Sequence, residues 1–157
     1  MANSGPITTY KDVITYFETL CNSHMAVKQF QSGMISDIDV QTDALTPTQY
    51  PLVFLVHRNG EIDRDGKTSF DFSLMVMEIS KDRENLEVNR LSSTHDILQD
   101  LIAKIVLTSY KEVDMNVETP ILTTPFVERF NNNLSGWAAE ITVTIKAPLN
   151  LCLAAFE

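Results

Sequence analysis

Residues 52–79 read LVFLVHRNGEIDRDGKTSFDFSLMVMEI, and this stretch decides the fold. Leu52 to Val56, opened by Pro51, is apolar on both alternating faces, which predicts a central strand covered on both sides. His57 to Lys67 follows as a turn region with two strong turn dipeptides, Asn59-Gly60 and Asp65-Gly66. From Thr68 to Ile79 the pattern alternates. Phe70, Phe72, Leu74 and Val76 share one face, and the other passes from Asp71 and Ser73 to Met75, Met77 and Ile79. Two such strands around one turn region predict a long antiparallel hairpin.

Upstream, Thr9 stands three residues before Asp12 as a capping-box pattern. Val13, Ile14, Phe17, Leu20 and Cys21 then fall on one helical face, predicting a helix from about Tyr10 to Asn22. Met34, Ile38 and Val40 alternate with Ile35, Asp37 and Asp39, predicting a strand with one wet face. Ala44 to Tyr50 reads as loop. Downstream, Lys81 to Asn89 is charged and polar. Ser93, three residues before Asp96, predicts the cap of a second helix ending near Ser109 or Tyr110. Its apolar stripe is Ile97, Leu98, Leu101, Ile102, Ile105 and Val106. Glu118 to Phe130 is extended but broken by Pro120 and Pro125, as in an edge strand or two short ones. Asn131 to Asn133 reads as a turn. Gly136 to Lys146 alternates cleanly, with Trp137, Ala139, Ile141, Val143 and Ile145 on one face. Pro148 stops it, and an apolar tail follows.

The order is helix, three strands, helix, then two or three strands, which is not the alternation of a doubly wound parallel fold. It predicts an α+β protein with a mostly antiparallel sheet and two helices packed on one face. One domain is expected across 1–157, with an apolar C-terminal tail at 148–157. The first residues show no secretory signal and no run is long enough to span a membrane, so a cytosolic origin is expected.

The chain carries 12 basic and 21 acidic side chains, a net charge of −9. That balance excludes the common basic nucleic-acid binder, which neutralises phosphates with clustered Lys and Arg. It equally disfavours an anionic membrane surface. Two cysteines, Cys21 and Cys152, are too few for a disulfide framework or a four-cysteine zinc site. Glu61, Asp63, Asp65 and Gly66 resemble part of a calcium loop, but the ligands needed further on are missing from Lys67 to Phe72. Ser93, His95 and Asp96 hold the letters of a hydrolytic triad, yet capping accounts for Ser93 and Asp96. Neither a phosphate-cradling glycine loop nor a nucleophile elbow occurs. The expectation is a non-enzyme with no cofactor, no metal and no membrane partner. Between Lys28 and Arg58 no Lys or Arg occurs, while Asp37, Asp39 and Asp43 lie inside that gap. They are candidates for an acidic surface that repels a polyanion.

The segment from Thr124 through Phe126, Phe130 and Asn131 to Trp137 runs into the strand ending at Lys146 and then Ala147-Pro148-Leu149-Asn150. With the two amphipathic helices, it resembles small virion proteins of tailed bacteriophages. The nearest group is the tail-terminator or tail-completion family, including the ring proteins below the portal of crAss-like phages. The resemblance implies an α+β fold and a homomeric ring at the head–tail junction, with portal, connector or tail proteins as neighbours. Genomic DNA is then passing cargo, and the acidic residues face the channel. Such a protein is assembled in the host cytoplasm and resides in the virion. Twelvefold symmetry, matching a portal, is the first expectation and sixfold the second. Candidate contacts between copies are Arg58, Glu61, Asp63, Arg64 and Lys67 of a projecting hairpin loop, and Phe126 and Phe130 of the edge-like segment. Leu151, Leu153 and Phe156 of the tail complete the set. A different virion assembly or decoration protein is the second reading. An enzyme or ligand-binding domain with an unadvertised site is the third.

Overall fold

A computed structural model describes residues 7–38, 48–79, 87–113, 115–129, 134–147, 149 and 155, with the side chains of 108–113 and 128–129 excepted. The elements run α1 (Tyr10–Ser23), β1 (Gln29–Gly33), β2 (Leu52–Ile62), β3 (Lys67–Ile79), α2 (Glu87–Val113), β4 (Met115–Val117), β5 (Leu122–Arg129) and β6 (Leu134–Lys146). The six strands form one sheet in the order β1-β2-β3-β6-β4, and β5 also pairs with β6. Among the described strands only β1–β2 is parallel; the other ladders are antiparallel. The protein is thus α+β with a mostly antiparallel sheet.

The capping box of α1 forms as the sequence predicts. Thr9 Oγ1 accepts the Asp12 N–H at 3.1 Å, and the Asp12 carboxylate accepts the Thr9 N–H at 3.1 Å. Two otherwise unpaired donors of the first turn are satisfied together. Val13, Phe17, Leu20 and Cys21 are its buried face. At the far end His24 Nδ1 accepts the Ala26 N–H and so leaves Nε2–H to donate to Asp100 of α2 at 3.0 Å. That contact ties the two helices together.

The strand expected over Met34 to Val40 does not form over its described part. The ladder lies earlier, at Gln29–Gly33, and the chain turns at Met34. Asp37 is the cause. Its carboxylate accepts the Met34 N–H at 2.8 Å, and its own N–H reaches the Met34 carbonyl at 2.9 Å. A short polar side chain offers the backbone a local alternative to the sheet. Val40 and the loop through Thr46 lie outside the described residues. The connection returns at Pro51, whose carbonyl accepts the Lys28 N–H at 3.0 Å, and this closes the parallel pair.

The hairpin is present, but its turn is smaller than expected. Only Asp63 to Gly66 turns; Gly66 has φ 82° and donates to the Asp63 carbonyl at 3.2 Å. Gly66 supplies the left-handed backbone that a side chain would strain. Asn59-Gly60 is instead a bulge within β2, where the register passes from His57↔Phe72 to Gly60↔Phe70. The ladder wins because β3 is held on its other side by β6 from Lys67 to Ile79, so its whole length offers hydrogen bonds to β2.

The second helix begins earlier than the Ser93 cap predicts. Ser93 lies inside α2, and its hydroxyl donates back to the Arg90 carbonyl at 3.1 Å; Thr94 does the same at 2.7 Å. The far end runs past Tyr110 to Val113. Over its described part the extended segment from Glu118 holds one strand, β5, which runs through Pro125; β4 lies just before Glu118, and both hydrogen-bond to β6. β6 itself starts at Leu134, earlier than Gly136.

The sheet separates two cores. On one face Val53, Leu55, Leu74, Val76, Ile141 and Val143 meet the buried faces of both helices. Trp137 joins this layer as a half-buried side chain, and its indole N–H donates to the Leu91 carbonyl of α2 at 2.9 Å. On the other face Leu52, Phe54, Met75, Met77, Phe126 and Leu134 pack with Ile38. Met75 and Met77 are therefore buried against this chain's own connection and β5. Gly136 lets β3 and β6 approach, because a Cβ there would stand 1.8 Å from the Val76 carbonyl oxygen.

Candidate functional site

Among the described residues, part of β2 is left as sheet edge beyond the end of β1. β1 pairs with β2 only from Leu52 to Val56, and among the described residues no strand lies against His57–Ile62 on the side away from β3. Unpaired strand edges are templates for further pairing. Met34 and Ile35, both exposed, mark one end of this edge, and Ile62, 71% exposed, marks the other. The opposite side of the sheet is blunter. β5 carries Pro125, which has no N–H to offer, and its register shifts between Phe126 and Arg129.

An aromatic group backs the open edge on the helix side. Tyr10 lies edge-on to Phe70 at 4.8 Å and stacks on Phe72 at 5.8 Å, and Phe72 meets Phe17 at 5.5 Å. The Tyr10 hydroxyl and His57 Nδ1 are 2.5 Å apart. Burial pushes the His57 pKa below its ordinary value, and the negative charge of Asp37 partly opposes that shift. Burial raises the Tyr10 pKa. The neutral pair is thus favoured, with Tyr10 donating to the unprotonated Nδ1. Nothing local in the sequence marks this pair, because the two residues are 47 positions apart.

On the other face the hairpin carries a polar row. Arg58 Nη1 lies 3.5 Å from Glu140 Oε2, and Ser73 Oγ donates to Glu140 Oε1 at 3.1 Å. Thr142 donates to Asp71 at 2.8 Å, and Ser69 and Thr144 hydroxyls meet at 2.9 Å. The Ser73–Glu140, Asp71–Thr142 and Ser69–Thr144 pairs follow the β3–β6 register directly.

The candidate contacts of the hairpin divide. Arg58 is engaged with Glu140 on the sheet face, whereas Glu61, Asp63, Arg64 and Lys67 are exposed at and beside the turn. They belong to paired strand and a tight turn, so the expected projecting loop over 57–67 is corrected to the turn Asp63–Gly66. Phe126, expected at a surface between copies, is 6% exposed and belongs to the second core. Asp37, a candidate for the acidic channel wall, is half-buried and caps the turn after β1. Asp39, Asp43, Phe130, Leu151, Leu153 and Phe156 lie outside the described residues.

Among the described residues no three His, Cys, Asp or Glu side chains converge to hold a metal. Cys21 is buried, and its thiol is pushed up to about 12 by burial, which keeps it protonated and unreactive. Among the described residues no helix is long and apolar enough to cross a membrane. No protein-family model matches the chain, and no curated protein matches it.

Proposed function

We propose that the protein is a structural subunit of a tailed-bacteriophage virion, forming a homomeric ring at the head–tail connector or tail through which the genome passes. The observation that carries this reading is the open edge His57–Ile62 with exposed Ile62, Met34 and Ile35 at its ends. A ring needs a patch that engages a different patch on the next copy, and an open strand edge beside apolar side chains is such a patch. The resemblance of residues 124–150 to tail-terminator and connector proteins supports the same reading, as does an α+β fold of this order. The net charge of −9 suits a wall past which DNA moves without being held. Residence in the virion, after assembly in the host cytoplasm, follows from the same role.

Imaging of the phage particle tests the placement. Density for this chain as a ring between portal and tail is the expected result. A mature particle that lacks the chain would remove the structural role altogether.

A further inference from the structure

The exit point of the last strand bears on what fills the open edge. β6 ends at Lys146 beside the hairpin turn, and the Ala147 N–H donates to the Gly66 carbonyl at 2.8 Å. The chain therefore leaves the sheet at the same end as Ile62. The segment that follows, LNLCLAAFE over 149–157, places Leu149, Leu151 and Leu153 on one side of an extended chain and Asn150, Cys152 and Ala154 on the other. That is the pattern of a strand with one apolar face.

We infer that this segment of one copy adds as a strand to the edge His57–Ile62 of the next copy, continuing the line that β1 leaves at Gly33. This rests on the ring reading and names the contact that would build the ring. The edge is shaped for it. Its helix-side face bears exposed Ile62 and Tyr10, with half-buried Phe70 between them. Gly60 has no side chain to cover Phe70; a Cβ there would touch the ring at 3.5 Å. Three leucines on one face of an added strand extend this apolar surface, while backbone hydrogen bonds complete the ladder.

The donor is another copy for two reasons. To reach its own β2 edge, the chain would have to cross β6, β3 and β2, about 14 Å at the usual strand spacing, which consumes about four residues of extended chain. Leu149 and Leu151 would be spent on the crossing. Leu149 is moreover 64% exposed, so the first apolar side chain of the segment makes little use of its own domain.

The test uses the full chain, a chain ending at Pro148, the full-length variant Leu151→Pro and a synthetic peptide of residues 148–157. The full chain assembles. The shortened chain and Leu151→Pro are expected to be folded monomers with unchanged circular dichroism, since proline interrupts an added strand's donors. The peptide binds the shortened chain, and Ile62→Lys in that chain weakens the binding by about tenfold or more. Assembly that persists without residues 149–157 overturns the inference and leaves the ring reading standing. A shortened chain that unfolds overturns it also, because the segment then belongs to its own core. Assembly that needs the segment but stops at open dimers keeps the strand addition and removes the ring.

Discussion

At the scale of single residues, His57 and Gly136 carry the sharpest consequences. The folded protein holds His57 with a lowered pKa, because burial disfavours its charged form. The unfolded chain therefore takes up a proton first as pH falls. Stability is undiminished by this group above about pH 6.5, the ordinary histidine value, and declines as pH drops from there through the lowered folded value. Urea unfolding at pH 7.5 and pH 5 should show that decline, and His57→Gln should flatten it. A histidine-dependent gain in stability on acidification would contradict the Tyr10–His57 geometry. Asp12 acts lower on the scale. The hydrogen bonds it accepts from Thr8 and Thr9 lower its pKa, so its contribution is lost only as pH falls below the ordinary carboxylate value of about 4. Gly136→Ala should destabilise by about 3 kcal/mol in the same assay, since a methyl group there meets backbone that cannot move without parting β3 from β6. Neither role was legible in the sequence. Gly136 reads as the start of a strand and His57 as the start of a turn region, because each role depends on a partner strand or helix far along the chain.

At the scale of elements, local chemistry predicted what local chemistry controls. The box Thr9–Asp12 set the start of α1 because both of its hydrogen bonds are made within four residues. The alternation in β3 and β6 set their inward faces for the same reason. Ser93 misled because a serine hydroxyl bonds backward to a carbonyl as readily as forward to an N–H, and only the chain before it decides which. β1 escaped notice because Gln29, Phe30, Gln31, Ser32 and Gly33 lack the apolar alternation of a strand and take their geometry from the parallel partner β2. A pair of substitutions separates cap from interior. Thr9→Ala should cost about 1 kcal/mol of stability, the usual loss at an N-cap. Ser93→Ala should be neutral or stabilise by up to about 0.5 kcal/mol, as alanine favours a helix interior. A loss at Ser93 as large as that at Thr9 would place the helix start where the sequence alone put it.

At the scale of the whole molecule, the order of elements was legible as α+β, with both helices on one face, because helical and strand periodicities differ and parallel alternation is absent. What the sequence could not reveal was the covering of the methionine face by the β1–β2 connection, since that depends on a crossover between distant segments. This covering matters for function. It removes Met75, Met77 and Phe126 from any surface between copies and concentrates the candidate contact on the open edge of β2. The central claim is that this edge serves a closed ring, and the mass of the purified full chain in solution tests it most directly. Native mass spectrometry should find one dominant species at twelve, or failing that six, times the chain mass of 17.7 kDa, with a central opening in negative-stain images. A protein that stays at 17.7 kDa across the accessible concentration range would contradict the claim.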